Sequence, residues 1–300
     1  MTSTDTPARF TYTARDGLEI VAYKWIPAAP PRGIVQLTHG MGEHVRRYHD
    51  LAMTLTEAGY LVAGQDHRGH GATARPEAGY GTIGAAGWGE LVNDIHLLNE
   101  LLRAHHPSLP LILIAHSMGS FAAQQYLLEH SAEVDAVVLT GTGLVDLIEP
   151  VVDLDQPLDL ALFNAPFAPA RTDFDWLSRD ESCVDAYIAD PQCGFGIDVG
   201  ALKALFAAGR AIADPQRMHA VRPDLRLYIT AGDQDPVNGQ LTGIHTLIDR
   251  YLAAGLTDVA LSIYRGARHE LYNEIDRRTV MADLIAWIDR TSTAPPGETQ

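Results

Sequence analysis

Residues 109–130 read LPLILIAHSMGSFAAQQYLLEH. Leu109 to Ala115 form a short, almost unbroken apolar run, the signature of a strand with both faces covered. From Met118 to His130 the pattern turns amphipathic, which predicts a helix starting immediately after Ser117. A buried strand that passes straight into a helix predicts a parallel sheet with helices packed on it. The alternation repeats on either side of this stretch. IVQLTH (34–39), YLVAGQD (60–66), DAVVLTG (135–141), LRLYITAGDQD (225–235) and VALSIYRGARHE (259–270) predict five more such strands with their trailing loops. Helices are expected near 48–59, 87–104 and 241–254, with a last one through Trp287–Arg290. Ahead of them, FTYTAR and LEIVAYKW flank Asp16-Gly17 and predict a hairpin closed by a two-residue turn. The expectation is an α/β fold with eight strands, mostly parallel, and helices on both faces.

Residues 144–216 break that rhythm. They carry six prolines, three helical candidates (VDLIEPVVDL, FDWLSRDESCVDAYI and ALKALFAAG) and no buried-strand signal. An insertion between two sheet strands is expected to form a helical cap, or lid, over the sheet's carboxyl edge, where open α/β folds bind ligands. A subdomain with no part in the site is the alternative. Residues 1–143 and 217–290 then make the core, and 291–300 read as a disordered tail without apolar periodicity.

With 46% hydrophobic and 20% charged residues, the 300-residue chain can bury a large core. Acidic side chains outnumber basic ones 38 to 22, and the net charge of −16 opposes nucleic-acid backbones. Cys183 and Cys193 are too few for a disulfide framework and read as free thiols. The opening MTSTDTPARF has no secretory pattern, and no run reaches the roughly 18–20 apolar residues that cross a bilayer. A cytoplasmic location is expected, with transient membrane-surface contact through the cap left open. Oligomeric state leaves no mark in the sequence.

Ala115-His116-Ser117-Met118-Gly119 is the segment that carries chemistry. A sharp strand-to-helix turn needs small neighbours around its central residue, and the pentapeptide matches G-x-S-x-G with Ala115 in place of the first glycine. An N-cap serine on an ordinary helix is the plainer reading. A serine nucleophile needs a base, and the base needs an acid, in the chain order Ser, Asp or Glu, His. Asp233 and Asp235 follow one predicted strand and His269 follows the next. Two backbone N–H groups must face the developing oxyanion. Met118 offers one at a helix start. His39-Gly40-Met41-Gly42 offers Met41 the freedom to turn its amide inward, although a plain tight turn fits those residues as well.

HGMGEH with Arg47-Tyr48, then DHRGHG (66–71), HSMG, GDQDPV and GARHELYNE together resemble the α/β-hydrolase family of monoacylglycerol lipases and lysophospholipases, serine aminopeptidase S33-like. In the insertion, RTDFDWLSRD and YIADPQCGF are similar to bacterial members. The resemblance covers nearly the whole chain. It implies the α/β-hydrolase fold, Ser117 as nucleophile, Asp235 as acid, His269 as base, and the Met41 and Met118 amides as oxyanion donors. The acid stands directly before the Pro-Val pair in that family, which selects Asp235 over Asp233. Ala115, and Ser120 where the family often has glycine, depart from the pattern.

His39, His44, His67 and His70 fit no zinc spacing, so neither a metal nor a cofactor is expected. In the family these positions brace the oxyanion loops. Leu162, Phe163, Phe167, Phe174 and Trp176 are expected either to line an acyl channel or to form the cap's own small core. The reading implied is a serine ester hydrolase for lipid esters with one acyl chain. A carboxylesterase for short or xenobiotic esters, an amidase, and a non-catalytic receptor are the alternatives.

Overall fold

The computed structural model describes residues 6–75, 77–84, 87–156 and 158–292. Eight strands form one sheet: β1 (Ala8–Thr13), β2 (Glu19–Trp25), β3 (Gly33–Thr38), β4 (Tyr60–Gln65), β5 (Leu111–His116), β6 (Ala136–Thr140), β7 (Arg226–Gly232) and β8 (Asp258–Tyr264). Their spatial order is β1-β2-β4-β3-β5-β6-β7-β8. β2 runs antiparallel to both its neighbours, and every other pairing is parallel. The helices are α1 (His49–Glu57), α2 (Gly87–His105), α3 (Met118–His130), α4 (Val145–Ile148), α5 (Glu181–Ala189), α6 (Val199–Gly209), α7 (Pro215–Met218), α8 (Thr242–Ala253) and α9 (Arg277–Ser292).

β5 shows why its sequence is apolar throughout. Strand side chains alternate between faces, so a strand sandwiched between helices needs apolar residues at every position. Leu111, Leu113 and Ala115 enter the core shared with α2, α3 and α8, while Ile112 and Ile114 enter the one shared with α1 and α9. Each aliphatic side chain buried this fully stabilises the fold by about 1.5–3 kcal/mol. β8 lies at the sheet's edge and is only half-buried, unlike the strand covered on both faces that its sequence predicts.

The hairpin turn also differs from the expectation. Thr13 pairs with Glu19, and the Ala14 N–H donates to the Leu18 carbonyl at 2.8 Å, so residues 15–17 form a three-residue tip. Gly17 supplies the left-handed residue (φ +83°), while the Asp16 carboxylate turns to Arg68, 3.0 Å away, and caps the Leu18 N–H. At the other end of the chain α9 runs through Ser292, and residues 293–300 of the expected tail lie outside the described residues.

Between β6 and β7 the chain leaves the sheet for α4 to α7, interleaved with 3₁₀ turns that include Leu160–Phe167 and Asp175–Leu177. FDWLSRDESCVDAYI is one helical candidate by pattern but two elements in space. Asp180 caps α5 by accepting the Ser182 N–H, which starts a new helix after the 3₁₀ turn.

Candidate active site

Ser117 joins β5 to α3 with φ +51° and ψ −123°, a backbone conformation that costs a non-glycine residue about 1–3 kcal/mol. Neighbouring bonds hold it there. Its N–H donates to the Thr140 carbonyl at 3.0 Å, and its own carbonyl accepts from the Ser120 N–H at 2.8 Å and the Ser120 hydroxyl at 2.6 Å. A Cβ at Gly119 would stand 2.5 Å from the His39 carbonyl oxygen and 2.6 Å from that of Thr38, so only glycine fits. Both departures from the family pattern find a place. The Ala115 methyl is buried in the core, and Ser120 is a buried hydroxyl that also accepts from the Thr142 hydroxyl at 2.8 Å.

Asp235 and His269 come together. The imidazole Nδ1 lies 3.0 Å from both carboxylate oxygens, and both side chains are buried. Asp235 also caps the 3₁₀ turn Pro236–Asn238 by accepting the Val237 N–H at 2.9 Å. Asp233, indistinguishable by spacing, accepts instead from the Gly266 N–H at 2.7 Å and braces the β8 loop. Burial alone would lower the His269 pKa, but the Asp235, Glu270 and Glu43 carboxylates outweigh it and hold the ring above the ordinary imidazole value. With Nδ1 committed to the carboxylate, Nε2 is the nitrogen left for proton transfer. Ser117 and His269 line one cavity.

Met41 and Met118 line it too. Met118 opens α3, so its N–H has no carbonyl within the helix and points out of the helix N-terminus. The Met41 amide is held from behind. The His39 Nδ1–H donates to the Gly40 carbonyl at 2.8 Å, and the Gly40 N–H donates to Glu43 at 2.6 Å. A trans peptide sets its N–H opposite its carbonyl, so fixing the Gly40 carbonyl fixes the direction of the Met41 N–H. His39, His67 and His70 pack ring on ring, and burial pushes the pKa of His67 to about 3 and of His70 to about 4, which keeps both neutral.

A buried ion cluster that the sequence reading passed over ties this loop to the His269 loop. Arg47 donates to Glu43 at 2.8 Å and, through both terminal nitrogens, to Glu270, with Nη2 at 2.7 Å. Tyr48 donates to Glu43 at 2.7 Å. Burial raises the Glu43 pKa; Glu270 is equally buried, yet the two-pronged contact with Arg47 holds it below the usual carboxylate range. The four-residue spacing of Glu43 and Arg47 is the one signal that could have revealed half of it.

The five aromatic and aliphatic candidates in the insertion separate. Phe163 and Trp176 line the cavity, and the Trp176 ring lies 4.7 Å from that of His269. Phe167 packs under the Arg268 guanidinium, Phe174 packs on Tyr187, and Leu162 is 48% exposed. Three of the five therefore serve the insertion's own packing or face outward. Most of the apolar wall comes from residues not singled out in the sequence, among them Phe121, Val145, Ile148, Leu205 and Phe206. Cys183 and Cys193 are unpaired.

The family described as "Serine aminopeptidase, S33" matches residues 29–276. The chain belongs to that family. It is 34% identical over 287 residues to a monoacylglycerol lipase of Mycolicibacterium smegmatis, covering 94% of this chain and 97% of the relative. It is 28% identical to the human monoglyceride lipase, covering 93% and 90% of the two chains. In three dimensions it is similar to a thermostable carboxyl esterase from Bacillus coagulans, with a TM-score of 0.87 at 29% identity over 96% of this chain and 99% of that one. The sheet, its order and its helices are those of an α/β-hydrolase.

Proposed function

We propose that this chain is a serine ester hydrolase for lipid esters carrying one acyl chain, of the monoacylglycerol lipase or lysophospholipase type. The observation that carries the reading is the cavity's polarity. Its lining joins a polar group, Ser117, His269, Glu43 and Glu270, to an apolar one that includes Phe121, Val145, Leu205 and Phe206. An ester carbonyl belongs beside the polar group and its acyl chain along the apolar one. Named relatives that hydrolyse monoacylglycerols support the same substrate class.

In this mechanism the Ser117 hydroxyl attacks the carbonyl carbon while His269 Nε2 takes its proton. Asp235 holds the ring and stabilises the imidazolium, and the Met41 and Met118 N–H groups receive the oxyanion. His269 then protonates the leaving alkoxide, which leaves an acyl-enzyme. Water repeats the sequence, releasing the fatty acid and the free Ser117 hydroxyl. The insertion acts as the cap over this site. Its exposed Leu147 and Leu162 support transient contact with a lipid surface. No helix among the described residues is long and apolar enough to cross a membrane, and the unpaired thiols favour a cytoplasmic setting.

Replacing Ser117 with alanine is expected to lower kcat by about 10⁴–10⁶-fold with the fold intact, and to abolish labelling by a fluorophosphonate. Retained turnover or labelling would refute the assignment. The likeness to a carboxyl esterase keeps a short-chain reading in view. A series of p-nitrophenyl esters separates the two: a rate maximum at medium or long chains supports the lipase, and one at acetate or butyrate supports the esterase.

A further inference from the structure

Away from the catalytic cavity, three metal-ligating side chains converge where α2 meets the end of α3. His96 lies on α2, His130 is the last residue of α3, and Glu133 closes the 3₁₀ turn Ser131–Glu133. One ligand atom from each lies within 4.8 Å of the other two. His96 Nδ1 stands 2.9 Å from one Glu133 oxygen, and His130 Nδ1 stands 3.1 Å from the other. The two rings stack with centroids 3.8 Å apart and planes 16° from parallel.

We propose that His96, His130 and Glu133 bind a first-row transition-metal ion, with zinc(II) the natural occupant. Two observations point to a ligand rather than to a closed hydrogen-bond cluster. His96 is buried, and although its Nδ1 sits close to the carboxylate, the pair is misaligned for a hydrogen bond, so a buried ring nitrogen lacks a partner. Arg103 meanwhile takes the Glu133 backbone carbonyl and the Asp135 carboxylate, which leaves the Glu133 carboxylate turned toward the imidazoles.

Two imidazoles and a carboxylate suit zinc, nickel, cobalt or copper, whereas magnesium and calcium prefer oxygen alone. Near-parallel rings cannot both aim a lone pair at one ion, so binding requires them to fan apart about χ2, a soft torsion. The ion would staple α2 to α3 at the far end from Ser117, roughly 18 Å away along a 13-residue helix. His96 and His130 are 34 positions apart, so no short spacing motif announces the site.

Calorimetric and optical titration of tag-free protein with zinc(II) and cobalt(II) tests this. The expected result is a bound equivalent that gives visible cobalt d–d bands without thiolate-to-metal charge transfer, and that disappears in both His130→Ala and Glu133→Gln. Both positions are partly exposed, so these variants should keep the wild-type circular dichroism. At a hundredfold excess over its Kd, zinc should raise Tm by about 5 °C in the wild type and not in the variants. His44, Asp190 and Cys193 form a second ligand group, and cobalt there would show the thiolate band. The proposal fails if no ion binds, if the only bound cobalt carries that band, or if binding survives both substitutions.

Discussion

The sheet and the β6–β7 crossover build opposite walls of one cavity by different means. On the sheet side, Ser117 follows β5 directly, Asp235 lies three residues past β7, and His269 lies five past β8. Parallel strands fix those positions, β5 and β7 buried and β8 half-buried at the edge, and short loops leave the side chains little freedom. On the crossover side, Phe163 and Trp176 sit on 3₁₀ turns, and among the described residues the buried apolar cluster around them comprises Leu160, Trp176, Leu177, Tyr187 and Val237. The crossover's wall thus draws on this small cluster and also on the large core, which holds Val145, Leu205 and Phe206, whereas Ser117, Asp235 and His269 sit on the sheet's loops, so damage on each side should read out differently.

Asp235→Asn attacks the sheet side most severely. It keeps the shape but presents the wrong partner to Nδ1, and kcat should fall about 10⁴-fold with Tm nearly unchanged. Arg47→Met strikes the joint between the Met41 loop and the His269 loop. It leaves Glu43 and Glu270 buried without their cation, and should destabilise the protein by about 3–5 kcal/mol in chemical denaturation. Phe163→Ala belongs to the crossover side. It should lower kcat/KM for long acyl esters by about 10–100-fold while leaving acetate esters unaffected, and equal losses on both would erase the contrast between the walls.

The mildest probe is pH. His269 must be neutral to accept the proton, and its pKa is raised in the folded protein. Activity should therefore fall as pH drops through a midpoint above the ordinary imidazole value of about 6.5. A midpoint below that value would mean that the carboxylates around the ring do not govern it.

The sheet was legible because its strands obey a local rule. The run from Leu109 to Ala115 is apolar at every position but the proline, and α3 begins at the residue its sequence predicts. The choice between Asp233 and Asp235 was not legible from spacing. It depends on which carboxylate reaches His269 across 34 residues of chain, and only the fold decides that. The hairpin tip departs from a two-residue turn, and there Asp16 answers to Arg68, 52 residues away, as well as to its own turn. The crossover was least readable, since 3₁₀ turns carry no strong periodicity and its aromatics serve either the cavity or one another.

The guanidinium of Arg47 clasps carboxylates from two loops, one beside the Met41 turn and the other adjoining His269. Injury to either loop must therefore be felt by both. Paired substitutions at Glu43 and Glu270 should combine non-additively, which would make the two loops a single thermodynamic unit.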